Sequence, residues 1–210
     1  FRRVLFRSTT DRAYSFKTQL DGTPTLGTYS GGKLLVAGMG AAGMQYYALD
    51  VTAPRTNTQA NAGTWVKWTF PAPGATSTQA KVGQTMGRPL IVNTSSGYRV
   101  LVTSGYNSTA DGKGRLFVLD PATGSLLKEF ATPDGTLSAE SGLAQVSGYQ
   151  EPDGTVRYVY GGDLLGNLWR FDLEAATGTA PDKIAILKGP TGALQPVTAP
   201  PALAAISGKR

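Results

Sequence analysis

The most informative part of this 210-residue chain is residues 158–173, YVYGGDLLGNLWRFDL. Two runs of alternating aromatic or apolar residues flank a Gly- and Asx-rich segment, and alternation places one face of a strand against a core. Glycine permits the backbone geometry of a tight reversal, and Asp163 and Asn167 can cap the N–H groups that such a turn exposes. The stretch therefore predicts two adjacent strands, with capping as the main role of these two side chains and ligand binding as the alternative.

Similar short runs recur along the whole chain. They are five to seven residues long, rich in Val, Ile, Leu and aromatic residues, and separated by Gly, Pro or Asp-Gly. Strands are predicted at residues 33–38, 45–51, 64–70, 89–93, 98–104, 115–120, 125–130, 143–149, 156–160, 167–173 and 183–188. Tight hairpin turns are predicted at Asp21-Gly22, Asp111-Gly112, Asp134-Gly135 and Asp153-Gly154. No window of about 11 residues holds an uninterrupted helical pattern, so the chain is predicted to be all-β.

Three of these strands end in Asp and lead into a turn, at residues 46–50, 116–120 and 168–172. The second and third turns contain Thr-Gly, at Thr123-Gly124 and Thr177-Gly178. The three Asp residues are 70 and 52 residues apart, and a four-stranded propeller blade needs roughly 40–50 residues. The repeat predicts a partial β-propeller with about three four-stranded antiparallel blades and the start of another at residues 195–206.

Composition removes several kinds of chemistry. The chain has no Cys and no His, which excludes Ser-His-Asp and Cys-His nucleophiles, His/Cys metal sites and disulfides within it. The formal charge is +6, but residues 1–8 (FRRVLFRS) and Lys209 and Arg210 supply most of it. The charge therefore gives no support to nucleic-acid binding. No apolar run approaches the roughly 18 residues that a membrane helix requires.

Residues 1–8 differ in composition from the rest of the chain. We expect them to be a non-native or disordered lead, with a native edge strand as the alternative. The incomplete propeller domain is predicted to span residues 9–210.

The order of these motifs resembles the C-terminal β-propeller of the PilC/PilY family of type IV pilus biogenesis proteins, which are tip-associated adhesins. The resemblance covers residues 31–206 and lies in five stretches, of which the fourth is the most specific: residues 40–54 (GAAGMQYYALDVTAP), 87–92 (GRPLIV), 103–124 (TSGYNSTADGKGRLFVLDPATG), 158–173 and 195–201 (QPVTAPP). It implies a quinoprotein-like propeller that is exported to the bacterial surface, pilus tip, outer membrane or periplasm. The implied function is non-enzymatic support of pilus assembly, opposition to retraction, and attachment to host cells or surfaces.

The implied partners are pilus-tip subunits or minor pilins and a host or surface receptor. Two polar loops, at residues 51–64 and 70–82, are the expected contact regions. No catalytic, cofactor-binding or metal-binding residue is expected. The family's calcium loop aligns with Tyr149, Glu151, Asp153 and Arg157, so two positions expected to be Asp are Tyr and Arg. Calcium prefers six to eight oxygen ligands, and the loop is therefore interpreted as degenerate.

Several alternatives remain at this point. The same scaffold could be a quinoprotein dehydrogenase or an outer-membrane assembly scaffold. Trp65, Trp68 and Trp169 could stack on a ligand, although packing between blades is the main expectation, with Trp65 and Trp68 on opposite faces of one strand. Residues 38–43 match G-x-G-x-x-G, but they lead into a strand, which favours a hairpin over a dinucleotide site.

Overall fold

The computed structural model describes residues 20–53 and 62–205. Twelve strands form three four-stranded antiparallel sheets, each built from consecutive strands. Blade 1 contains β1 (Thr25–Tyr29), β2 (Gly32–Gly38), β3 (Tyr46–Asp50) and β4 (Val66–Phe70). Blade 2 contains β5 (Leu90–Thr94), β6 (Gly97–Thr103), β7 (Arg115–Leu119) and β8 (Leu126–Ala131). Blade 3 contains β9 (Leu143–Gln150), β10 (Val156–Asp163), β11 (Asn167–Asp172) and β12 (Asp182–Ile186).

The prediction of three four-stranded blades is confirmed, and each predicted strand overlaps one of β2–β12. The first strand, β1, was not predicted because its sequence, TLGTY, has little apolar content and contains a glycine. A short 3-10 helix at Ala62–Trp65 precedes β4, and helix α1 (Thr76–Lys81) follows it. The predicted lead at residues 1–8 lies outside the described residues.

Only Asp153-Gly154 forms the predicted tight turn between two paired strands, β9 and β10. The prediction is wrong for Asp21-Gly22, which precedes β1, and for Asp134-Gly135, which lies in the connection between blades 2 and 3. Asp111-Gly112 lies in the longer connection between β6 and β7. Gly112, Gly135 and Gly154 have a positive φ, but the flanking strands decide whether such a turn closes a hairpin.

The apolar core lies between blades. The first strands of neighbouring blades contact each other, β1 with β5 and β5 with β9, so these strands are innermost. One buried cluster joins blades 1 and 2: Tyr29, Leu34, Val36, Tyr46, Ala48, Trp68, Phe70, Val82, Val100, Val102, Phe117 and Leu119. A second joins blades 2 and 3: Leu101, Leu116, Val118, Phe130, Leu143, Val146, Val156, Val159, Trp169, Phe171 and Leu173. Each blade is therefore stabilised mainly by its neighbours.

The turn between the third and fourth strands of one blade contacts the outermost strand of the preceding blade. Between blades 1 and 2, the indole Nε1–H of Trp68 on β4 donates to the carbonyl of Pro121 at 2.9 Å. Between blades 2 and 3, the N–H of Gly178 donates to the carbonyl of Glu129 on β8 at 2.8 Å, and Thr177 Oγ1 accepts the Glu129 N–H at 3.0 Å. The turns at residues 120–124 and 172–178, which both begin with Asp and end with Thr-Gly, thus join neighbouring blades.

Candidate functional site

The Gly-Gly-Asp-Leu-x-Gly-Asn segment forms a turn around the fully buried carboxylate of Asp163. Its Oδ1 accepts the backbone N–H groups of Leu165 at 3.0 Å and Asn167 at 2.8 Å. Its Oδ2 accepts the hydroxyl of Ser141 at 2.8 Å, the amide of Asn167 at 2.9 Å and the indole N–H of Trp169 at 2.8 Å. The predicted capping role is confirmed for Asp163, whose five hydrogen bonds satisfy its buried carboxylate, but the Asn167 side chain donates to this carboxylate and does not cap an N–H group of the turn.

This network extends across the boundary between blades 2 and 3. Asn167 Nδ2 also donates to Asp134 at 3.3 Å, and Asp134 pairs with Lys183 on β12. Ser141, from the connection between the two blades, hydrogen-bonds to Thr132 at 3.2 Å. The motif therefore holds the β10–β11 turn, the interblade connection and the outermost strand in one arrangement.

Two glycines of the motif are required by its geometry. A Cβ atom on Gly162 would lie 2.2 Å from the Val197 side chain, so the segment that follows blade 3 can approach only because no side chain is present. Gly166 has a φ of 79°, in the left-handed region that favours glycine. These constraints explain why the motif is so specific in sequence.

A second charged network joins α1 to blade 2. The side chain of Arg115, which is only 5% exposed, binds Asp111 at 2.6 Å and Glu129 at 3.0 Å. Glu129 also pairs with Lys81 of α1 at 2.9 Å. Hydrogen bonds from Arg115 hold the pKa of Asp111 below its ordinary value. Sequence reasoning missed this network, because Arg115 occurs inside an ordinary strand pattern.

Glu140 lies in the connection between blades 2 and 3 and links it to the connection between β6 and β7. Both carboxylate oxygens of Glu140 accept the N–H of Asn107, at 2.7 and 2.9 Å. Asn107 has a φ of 61°, which Asn tolerates better than most other residues. Burial raises the pKa of Glu140, and hydrogen bonds from the N–H groups of Asn107 and Ser108 partly offset this effect.

The residues aligned with the family's calcium loop are dispersed over a hairpin. Asp153 lies in the turn, where its Oδ1 accepts the Thr155 N–H at 2.9 Å and hydroxyl at 2.7 Å. Arg157 pairs with Asp172 at 2.9 Å and with Glu174 at 3.2 Å. Within residues 20–53 and 62–205, no group of three or more acidic, His or Cys residues is placed to hold a metal ion. The absence of a bound cofactor stays a prediction.

Tyr149 and Glu151 instead line a cleft of about 320 Å³ on the outward face of blade 3. The other lining residues are Tyr158, Tyr160, Arg170 and Ala202–Ala205. A second, larger groove of about 610 Å³ lies along the innermost strands β1, β5 and β9. Its described lining carries no charged side chain. The first cleft is the more distinctive of the two because it combines phenol, guanidinium and carboxylate groups.

Trp68 and Trp169 are buried at the two blade boundaries, so their expected packing role is confirmed. Trp65 is half-buried at the end of the 3-10 helix, and β4 begins only at Val66. The prediction that Trp65 and Trp68 share one strand is therefore wrong.

Residues 38–43 connect β2 to its antiparallel partner β3, which confirms the hairpin interpretation of the glycine motif. In the described part of the chain, no helix has the length and apolarity to cross a membrane.

A family model described as the PilY1 beta-propeller domain matches residues 7–209. A type IV pilus biogenesis factor PilY1 homolog of Xylella fastidiosa is 33% identical over 210 residues, covering 88% of this chain and 14% of the relative. The type IV pilus biogenesis factor PilY1 of Pseudomonas aeruginosa is 33% identical over 152 residues, covering 69% of this chain and 12% of the relative. The chain thus spans less than a sixth of the length of either curated relative.

The crystal structure of the Pseudomonas aeruginosa PilY1 C-terminal domain has a TM-score of 0.71 to this chain at 23% sequence identity. The match covers 88% of this chain and 40% of the other, and it confirms the propeller fold. Since the family model matches almost the whole chain and the relatives agree, the chain belongs to the PilY1 β-propeller family.

Proposed function

We propose that this chain is a non-enzymatic propeller module of a type IV pilus biogenesis protein, exported and exposed at the cell surface or pilus tip. The observation that carries the proposal is the family match over residues 7–209, on a chain folded into three interlocked blades. The buried charged side chains of Asp163 and Arg115 are hydrogen-bonded to other side chains of the chain. Their placement favours a structural role over chemistry.

The proposed mechanism is mechanical and interfacial. The interlocked blades present connecting segments on a rigid body, and these segments contact pilus-tip subunits or minor pilins and a host or surface receptor. Of the two expected contact loops, residues 54–61 of the first lie outside the described residues. The second carries α1, whose Lys81 is ion-paired to blade 2, and its exposed residues are 72–74, Thr76 and Ser77.

Surface pili and attachment test this role. We expect deletion of the gene to reduce surface pili and adhesion. If the protein mainly opposes retraction, a second mutation that abolishes pilus retraction in the deletion strain should restore surface pili but not adhesion. Unchanged piliation and attachment in the deletion strain would contradict the proposal.

The quinoprotein alternative is tested directly on the full-length protein. Pyrroloquinoline quinone and calcium are added, and alcohol oxidation is followed with an artificial electron acceptor. We expect no turnover above that of the cofactor alone, and turnover would overturn the non-enzymatic assignment. An outer-membrane scaffold role predicts defects in outer-membrane protein assembly in the deletion strain, whereas a pilus role predicts normal assembly.

A further inference from the structure

The groove of about 610 Å³ along the innermost strands is lined by all three blades. Its lining comes from β1, β5, β6, β9, β10 and the turn between the last two, so the groove crosses the strands instead of following the edge of one. Its volume is within the range of about 300–1,000 Å³ that is usual for small-ligand sites in proteins. We call it the inner groove.

The floor of the inner groove is apolar and only half-buried. Residues 90–92 of β5 (LIV) line it, and no residue of β5 is fully buried. The flanking strands contribute Gly27 and Gly148, where a Cβ atom would lie 3.0 Å from the Ile91 side chain and 2.9 Å from that of Val156. Because glycine occupies both positions, neither flanking strand places a side chain over the floor at these two points.

Among the polar side chains around this floor, four keep free hydrogen-bonding groups: Thr28, Asn93, Tyr98 and Gln150. The Asn93 amide and the hydroxyls of Thr28 and Tyr98 form no hydrogen bond with the part of the chain that the structure describes. Gln150 uses only its Nε2–H group, which donates to the carbonyl of Gly154 at 3.3 Å and leaves Oε1 as an acceptor. The inner groove therefore offers both donors and acceptors to a ligand.

The described lining of the inner groove is also uncharged. The nearby Arg99 is engaged in its own turn, where Nη1 and Nη2 donate to the carbonyls of Tyr98 at 2.7 Å and Ser96 at 2.6 Å. A phosphate, carboxylate or ammonium group would lose hydration in the groove without gaining a counter-charge, which is unfavourable. The lining therefore favours a neutral ligand.

Tyr98 adds an aromatic surface to this neutral lining. It is 37% exposed and lies opposite Asn93 in the β5–β6 pair, which brings a ring and an amide together. An aromatic ring packs on apolar C–H groups, while the phenol hydroxyl and the amide both donate and accept hydrogen bonds. A sugar ring presents the same combination, with C–H groups beside hydroxyls. An extended peptide would instead pair with the free edge of one strand, whereas the inner groove crosses several.

We propose that the inner groove binds a neutral saccharide. The ring of Tyr98 packs against the C–H face of a sugar ring, and the side chains of Asn93 and Gln150 form hydrogen bonds with its hydroxyls. As a receptor on the surface to which the cell attaches, the saccharide rests on the attachment role proposed above. The binding site itself does not depend on that role.

An array of neutral oligosaccharides, each beside its sialylated or sulfated counterpart, tests this proposal on the full-length protein. We expect neutral oligosaccharides to bind, and the dissociation constant of the best one to rise at least about ten-fold in Tyr98→Ala and about three-fold in Asn93→Ala. Tyr98→Phe keeps the ring and guards against misfolding, and it should weaken binding less than Tyr98→Ala. Ser96→Ala, in the exposed turn beside the groove, is the matched control and should bind as the unchanged protein does.

Three results on this array would each overturn the proposal: no binding of any neutral oligosaccharide, binding of the charged counterparts alone, or equal affinity in Tyr98→Ala, Asn93→Ala and the control. Uncharged peptides printed on the same array test the other occupant. Binding of peptides but of no saccharide, weakened by Tyr98→Ala, would assign the groove to a peptide and also overturn the proposal. These measurements do not involve pili, so normal piliation in the deletion strain would contradict the pilus role and leave the saccharide site intact.

Discussion

At the scale of single residues, the molecule relies on buried charges that are fully hydrogen-bonded. Asp163 accepts five hydrogen bonds from four residues, two of them from N–H groups of its own turn. Such a carboxylate costs desolvation energy, and only its complete set of donors makes burial tolerable. The residue is therefore as important for joining blades 2 and 3 as the apolar side chains around it.

Replacing Asp163 should destabilise the protein more than replacing an exposed Asp in a turn. Asp163→Ala leaves the donors of Ser141, Asn167 and Trp169 without an acceptor, and we expect the free energy of unfolding to fall by about 3–5 kcal/mol. Asp153→Ala, which loses only a local, exposed turn cap on Thr155, should cost much less. Urea unfolding followed by tryptophan fluorescence measures both, and equal losses would contradict the importance of the network.

The ion pair of Asp111 with Arg115 predicts a pH dependence. The pKa of Asp111 is lowered in the folded protein, so its stabilising contribution is complete above the ordinary value of 3.8 and is lost as the pH falls through the folded pKa. At pH 7, Asp111→Asn should lower the free energy of unfolding by about 1 kcal/mol, since the carboxylate is partly exposed. The difference in the free energy of unfolding between Asp111→Asn and the unchanged protein should shrink below pH 3.8. A difference that is constant between pH 7 and pH 2 would show that the ion pair contributes nothing.

At the scale of elements, the contact between a turn and the preceding blade can be tested with two matched glycines. Gly124 and Gly178 both have left-handed backbones, with φ of 70° and 82°. A Cβ on Gly124 would lie 2.6 Å from the Trp68 ring, whereas a Cβ on Gly178 would meet nothing within 4 Å. Both alanine variants carry the same backbone cost, so the difference between them reports the packing of Trp68.

We expect Gly124→Ala to lower the free energy of unfolding by about 1–3 kcal/mol more than Gly178→Ala, because overpacking is added to the backbone strain. Thermal unfolding of the two variants provides the comparison. If the two alanine variants unfold at the same temperature, the turn of residues 121–124 does not pack tightly on Trp68.

The strands show what the sequence could predict. Val, Leu and aromatic alternation located β2–β12, because this pattern records the two faces of each strand. It missed β1, where Gly27 and three polar or aromatic neighbours give no alternation, and it missed the 3-10 turn ahead of β4. It located the Asp163 turn but not its partners Ser141 and Asp134, since contacts between connections depend on how blades stack.

At the scale of the whole molecule, the two outer faces of the three-blade arc differ from its interior. Leu26 and Val66 on blade 1 are 66% and 45% exposed, and on blade 3 a cleft lined by Tyr149, Tyr158, Tyr160 and Arg170 is open. We expect the 210-residue chain, produced alone, to associate with increasing concentration, because exposed apolar sheet surface promotes association. Light scattering after size-exclusion chromatography measures this, and a monodisperse monomer with one cooperative melting transition would be the opposite result.

The central claim is that this propeller supports the type IV pilus without performing catalysis. The most direct measurement is the number of surface pili and the attachment of cells whose full-length protein lacks residues 20–205, with export and abundance of the remaining protein matched by immunoblot. We predict that pili and attachment fall to the level of the gene deletion and return when the segment is restored. Normal piliation and attachment at matched protein abundance would contradict the account.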